Sequence, residues 1–269
     1  MGDYMNRVAI DLGFIQIYWY SITMLLGVIF GGLLTYLELK RLKINTTYFF
    51  DMIFFVIIFG FLGARLYYVL FNLDYYLQKP GEILAIWNGG LAIHGAIIAG
   101  SLTIILYSLK HKKNKYEIIK YLDVCSLGIL VGQIIGRWGN FFNGEAHGGE
   151  TTRLFLESLH IPNFIIEGMT INGIVYHPTF LYESFLNVIG LIILLIIRKN
   201  KKLKTGMLLS IYLMWYSIVR FFIESMRTDS LMLYDLKMAQ VISIVLFFLG
   251  IIGFIISLKY ANNYNREEK

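Results

Sequence analysis

Three arginines, Arg65, Arg137 and Arg220, fall inside long apolar runs. Charge in such a run is costly and needs a partner or a task. Around them lie groups whose spacing brings them together. Tyr216, Arg220 and Glu224 follow one another at steps of four and stack on one helix face. Gln133 and Arg137 are also four apart, and Asn140 follows three later. A guanidinium offers a planar fork of donors suited to phosphate. Asn140 and Asn143 could bond phosphate oxygens or glycerol hydroxyls, and Glu145 could anchor an arginine or accept a hydroxyl. The stretch Gly136–Glu145, GRWGNFFNGE, therefore reads as a corner that recognises a phosphorylated headgroup. Its glycines are expected to let the helix end and the backbone approach a ligand. His94, between Gly90 and Gly95, adds an imidazole and Tyr20 a polar aromatic. Each has a plainer reading. Arg65 and Arg137 could snorkel to headgroups, His94 could be a packing residue, Arg220 and Glu224 a purely structural pair, and Tyr20, Trp87 and Trp138 interfacial aromatics.

The elements that must position these groups are helices in a bilayer. The chain has 269 residues, is 57% hydrophobic and has a mean hydropathy of +0.62, too apolar for an ordinary soluble domain. Runs of spanning length are expected near 15–37, 48–71, 89–109, 121–142, 177–197, 205–226 and 236–258. Sixteen of the 24 Lys and Arg fall in one set of connections, around 40–43, 110–120, 198–204 and 259–269; five fall in the other set and three within helices. Positive charge marks the cytoplasmic side. This gives an all-α integral membrane protein of seven transmembrane helices, N-terminus outside and C-terminus cytoplasmic. It is expected to be one domain over 1–269, with a small external head inserted at 143–176. The net charge of +6 then faces anionic lipid and is no nucleic-acid signature. The N-terminus lacks a basic n-region, so the first helix is expected to be retained. Cys125, the single cysteine, is expected to be a buried thiol. The glycine spacings Gly27/Gly31 and Gly132/Gly136 read as close helix packing.

Depth decides between function classes. Tyr20, Arg65, His94, Arg137, Asn140, His177, Tyr182, Glu183, Tyr216, Arg220 and Glu224 all fall toward the outer ends of their helices. The inner halves hold little beyond Asp51 and Asp123, both expected near the interface. A transporter or flippase needs polar groups at mid-depth and a route to both sides. A cavity open to one leaflet suits an enzyme acting on a lipid. A headgroup-binding scaffold and another phospholipid enzyme remain as alternatives. No metal is called for: His147 and His160 lie in the outer loop without ligand spacing.

GRWGNFFNGE closely resembles the signature of bacterial prolipoprotein diacylglyceryl transferases. Further segments resemble that family in the same order: YWY at 18–20, GGLAIHGAIIAG at 89–100, HPTFLYES at 177–184 and YSIVRFFIES at 216–225. Two positions depart from its pattern, Ala96 where glycine is frequent and Phe180 where glutamine is usual. The resemblance implies a multi-pass enzyme of the bacterial cytoplasmic membrane, its site facing the outer leaflet, working without a cofactor. It implies transfer of the diacylglyceryl group of phosphatidylglycerol to the lipobox cysteine of a prolipoprotein signal peptide, with release of glycerol phosphate. His94, Arg137 and Arg220 would be catalytic. Arg137, Asn140, Asn143, Glu145, Tyr20, Tyr216, Glu224 and Arg65 would bind substrate.

Overall fold

The computed structural model describes residues 7–13, 16–85, 90–230, 232–233 and 236–265, apart from the side chains of Ile93, His94 and Leu233. Trp87, Gly89, Arg266 and Lys269 lie outside the described residues. Long helices dominate: α1 (Trp19–Arg41), α2 (Thr46–Phe71), α4 (Ile93–Lys110), α5 (Lys115–Asn143), α8 (Thr179–Ile197), α9 (Met207–Met226) and α10 (Met238–Tyr260). Short helices α3 (Leu73–Gln78), α6 (Arg153–Ser158) and α7 (Asn163–Gly168) fill the connections. The expected runs 48–71, 177–197 and 205–226 match within two residues at each end. Six helices are long and apolar enough to cross a membrane; α4, apolar over Gly95–Lys110, is shorter. The chain is mostly helical as expected; among the described residues seven short strands in three small antiparallel sheets are added in the connections.

Helix α5 begins six residues before the expected 121. Its cause is local: the Asn114 side chain accepts from Tyr116 N and Glu117 N, and Glu117 reaches back to Asn114 N. That reciprocal cap satisfies orphan donors and lets the charged stretch after 115 start the helix.

The chain divides into two units, Met1–Leu42 with Leu122–Lys269, and Lys43–Tyr121. In the larger unit α1 meets α5 along glycines. A Cβ on Gly27 would lie 3.3 Å from Gly132 Cα, and one on Gly31 2.5 Å from Gly128 O. Small residues let the two backbones touch, as the spacing predicted. Helices α9 and α10 pack side by side, and Gly250 fits against Met214 and Ser210. Residues 144–178, between α5 and α8, form a small head of short strands and short helices. Strands Glu150–Thr151, Thr170–Ile171 and Ile174–Tyr176 form one sheet with the third in the centre. Leu156, Ile161, Ile165, Ile166 and Met169 bury themselves against Phe141 and Phe180. Phe180 stacks on Phe141 at 4.6 Å, so the position where the resembled family carries glutamine here belongs to an apolar core.

The far end of this unit is more polar than expected. Glu38 is fully buried; it accepts from Arg41 at 2.6 Å, from Arg198, and from Tyr264 Oη at 2.8 Å. Asp123, expected at the interface, is likewise fully buried. Its carboxylate caps α9, accepting from Gly206 N at 2.5 Å and Leu209 N at 2.7 Å. Gly206 has φ +91°, a left-handed turn that glycine enters freely. Cys125 keeps part of its surface exposed, with its thiol turned into the helix packing.

In the smaller unit α2 packs on α4. A Cβ on Gly63 would lie 2.7 Å from Gly95 O, so glycines again permit close approach.

Candidate active site

A second cluster of charged groups in the larger unit gathers where α5, α8 and α9 meet. Near its C-terminus α5 presents Arg137. The first turns of α8, which enters from the head, present Glu183. The last two turns of α9 present Arg220 and Glu224. Arg137 Nη2 lies 2.7 Å from Glu183 Oε1, and Arg220 Nη1 donates to Glu183 Oε2 at 3.3 Å. Arg220 Nη2 lies 2.7 Å from Glu224 Oε2, which Arg227 Nε approaches at 4.0 Å. Arg227 then holds Asp229 by two hydrogen bonds of 2.9 Å. Three cations and three anions thus alternate from α5 to the segment after α9.

Both glutamates have side chains only 2% exposed, whereas Arg137 keeps 20% and Arg220 14%. The carboxylates are therefore spent inside the network, while the guanidiniums remain reachable. Arg137 Nη1 also donates to Asn140 Oδ1 at 3.3 Å. A guanidinium has five N–H donors, so both arginines keep donors for an incoming anion. The network holds the forks in place before any ligand arrives, the condition for electrostatic stabilisation of developing charge. Below Arg220, Tyr216 stacks on Tyr212 at 6.0 Å.

The head is fastened to this cluster. Asp229 accepts from Ala146 N at 3.2 Å, and Thr179 Oγ1 donates to Ala146 O. Gly149 N donates to Met226 O at 3.1 Å. Lys237 Nζ donates to the carbonyls of Glu224, Ser225 and Arg227, closing the C-terminus of α9. Asp229's carboxyl is pushed up by burial, but the Arg227 hydrogen bonds and charge and the Ala146 amide outweigh this and hold it below its usual range. Burial lowers His177 below its ordinary value.

Of the three glycines in the stretch, Gly144 ends α5 as expected, while the other two lie inside the helix. The helix runs through Gly136 and Gly139 to Asn143, and Gly144 at φ +66° breaks it. Gly139 serves packing instead: a Cβ there would lie 2.6 Å from Thr23 Oγ1 and 2.9 Å from Tyr20 Cδ2. The close approach once expected for a ligand is thus made by α1, and it sets Tyr20 against the Arg137 helix. Asn143 donates to Glu145 Oε1 at 3.3 Å, and Glu145 is exposed. Neither has a described contact with the arginine network.

Two predicted residues lie in the smaller unit. Arg65 is buried, and its guanidinium donates to the carbonyls of Glu82, Ile83, Ala85 and Gly90 at 2.7–3.4 Å. These contacts tie residues 82–85 and Gly90 to α2. His94 is the second residue of α4. Among the described residues no group of three or more His, Cys, Asp or Glu could hold a metal ion.

Sequence spacing identified the Arg220–Glu224 pair but assigned Glu183 no part in the site, although it joins both arginines. The available signal was a carboxylate at the depth of two arginines. Arg227 and Asp229, beyond the apolar run, carried none.

Residues 7–256 match the family model of prolipoprotein diacylglyceryl transferase. The chain belongs to that family. Its similarity to individual members runs along nearly the whole length. It is 49% identical over 255 residues to the phosphatidylglycerol–prolipoprotein diacylglyceryl transferase of Bacillus cereus (strain 03BB102), covering 95% of this chain and 93% of that one. The enzyme of the same name from Staphylococcus xylosus is 46% identical over 255 residues, covering 94% and 90%. That of Lactobacillus acidophilus is 45% identical over 250, covering 92% and 88%. Family membership and six long apolar helices make this a multi-pass membrane protein.

Proposed function

We propose that this chain transfers the diacylglyceryl group of phosphatidylglycerol to the lipobox cysteine of prolipoproteins, the first step of lipoprotein maturation. The observation that carries this reading is the pair of reachable guanidiniums, Arg137 and Arg220, held on Glu183 at the end of the helix bearing GRWGNFFNGE. Seven helices span the bacterial cytoplasmic membrane, α4 being the short one, with the N-terminus outside and the C-terminus in the cytoplasm. The chain acts as one membrane domain whose head, 143–176, faces outward, and the site opens to the outer leaflet.

The chemistry follows from charge. The cysteine sulfur bonds to the terminal glycerol carbon of the diacylglyceryl group as that carbon's bond to phosphate oxygen breaks. Glycerol phosphate leaves with the electron pair, and the product is a thioether. Arg137 and Arg220 stabilise the charge growing on the departing phosphate, most effectively where water is scarce. A thiol of pKa about 8.5 is mostly protonated at neutral pH, so His94 accepts its proton. Tyr20, Asn140, Tyr216 and Glu224 orient the headgroup and the arginines, and Asn143, Glu145 and Arg65 bind the lipid.

The test is direct transfer. Purified protein in detergent receives phosphatidylglycerol and a lipobox peptide with one cysteine, or its serine counterpart. A diacylglyceryl mass gain on the cysteine peptide alone, with glycerol phosphate released, is expected. Arg137→Ala should abolish it, and His94→Asn should slow it most at low pH. Folded wild-type protein that yields no adduct would refute the assignment.

A further inference from the structure

The three helices that carry the ion network each place a second polar side chain one turn away, toward the helix middle. Gln133 precedes Arg137 by four residues in α5, Asn187 follows Glu183 by four in α8, and Tyr216 precedes Arg220 by four in α9. The first turns of α8 meet the last turns of α5 and α9, so α8 runs opposite to both. Four forward on α8 and four back on the others therefore reach one depth, about 6 Å below the arginines.

This layer is not satisfied internally. Asn187 is fully buried, and among the described residues neither its Nδ2 nor its Oδ1 has a hydrogen-bond partner. Gln133 Nε2 donates to Tyr212 Oη at 3.0 Å, while its Oε1 is unpartnered. A buried amide without partners is expensive, and in an apolar helix interior a leucine would avoid the cost. Unspent polar atoms at a defined depth below a phosphate-binding pair point to a ligand that continues downward and is polar there.

A diacylglycerophospholipid has that profile. Its phosphate meets the arginines; its two ester carbonyls lie one glycerol unit deeper; its chains are apolar. Ester oxygens accept but never donate, and Asn187 Nδ2 is a free donor. We propose that Asn187 donates to an ester carbonyl of the lipid, beside Gln133 and Tyr216, so that the site reads the ester linkage as well as the headgroup. This rests on the transferase reading above and names a specificity determinant within it.

The experiment compares dioleoyl phosphatidylglycerol with its dioleyl ether analogue, which keeps headgroup and chains but lacks both carbonyls. Peptide lipidation is followed by mass spectrometry. Wild-type protein should prefer the ester in kcat/KM by roughly five- to tenfold, the worth of one buried hydrogen bond. Asn187→Leu should collapse that ratio toward one, and Asn187→Ser, which keeps a donor on a shorter arm, should retain part of it. Equal use of both lipids by wild type, or an unchanged ratio in Asn187→Leu, overturns the ester assignment while leaving transferase activity standing. Absence of transfer from either lipid by wild type would sink the transferase reading and this inference with it. Should Asn187→Leu fail to fold, the wild-type ratio and Asn187→Ser still decide.

Discussion

Replacing Glu183 with glutamine tests whether the arginines work as a pre-set pair. The substitution keeps size and removes one charge that touches two cations, Arg137 at 2.7 Å and Arg220 at 3.3 Å. At about 4 Å and an effective dielectric near 20, each contact is worth on the order of 4 kcal/mol before desolvation. Breaking a buried pair typically costs about 3–5 kcal/mol net. Arg137 and Arg220 keep 20% and 14% exposure, and Arg220 retains Glu224, so the lower end applies, about 3 kcal/mol. If that energy orients the forks toward the departing phosphate, kcat falls about 100-fold, since ~1.4 kcal/mol is one decade. The same change leaves the site one unit more positive, so KM for phosphatidylglycerol should stay level or fall. Initial rates across a lipid titration, on protein shown folded by its thermal transition in detergent, separate the two. A variant with near wild-type kcat would refute the orientation argument. A raised KM at unchanged kcat would instead mean that Glu183 binds lipid itself.

Other consequences are simpler to state. In the head, a Cβ on Gly148 would lie 2.8 Å from His177 Cβ and 3.3 Å from Met226 O, so Gly148→Ala should lower stability by about 1–3 kcal/mol, read from thermal unfolding. His177 has a folded pKa below its ordinary value. The fold therefore disfavours its proton, and stability is full above about pH 6.5. It declines as pH falls below that value, where the unfolded chain protonates first, and levels off below the folded pKa. His177→Gln should flatten that part of the stability profile. Glu38→Gln, at the opposite end, should destabilise the fold by about 3 kcal/mol yet leave kcat of the folded fraction unchanged, as paired melting and rate measurements would show.

The helices were legible because apolar length is a property of a contiguous window. The Arg220–Glu224 pair was legible for the same reason, being fixed by helical periodicity alone. What escaped the sequence depends on contacts between distant segments. Glu183 joins arginines 46 and 37 residues away, and no local spacing encodes that. Asp123 looked interfacial because it sits near a helix start; in the fold it caps another helix 83 residues on. Gly139 looked like a ligand contact because its neighbours are polar, yet its missing Cβ makes room for Thr23 and Tyr20. The start of α5 was misplaced for a different reason: hydropathy ignores caps, and Asn114 extends the helix through charged residues.

Burial alone would not tell the two ionic clusters of the larger unit apart. Each is built around a glutamate no more than 2% exposed and two arginines. They differ in what is left over. At the far end Glu38 takes Arg41, Arg198 and the Tyr264 hydroxyl at once, while Arg41 also donates to Asn265. Burial and the adjacent carboxylate push the Tyr264 phenol well above its usual range, so it stays a donor, and all three partners converge on the one carboxylate although Arg198 Nε is left without a hydrogen bond among the described residues. At the Glu183 end the carboxylate is paired with both arginines, but the arginines keep further donors. Arg137 and Arg220 face outward with unspent N–H groups, and one turn below them Asn187 has both amide atoms free among the described residues. Unspent donors at two successive depths, rather than buried charge as such, mark the end where a lipid can bind.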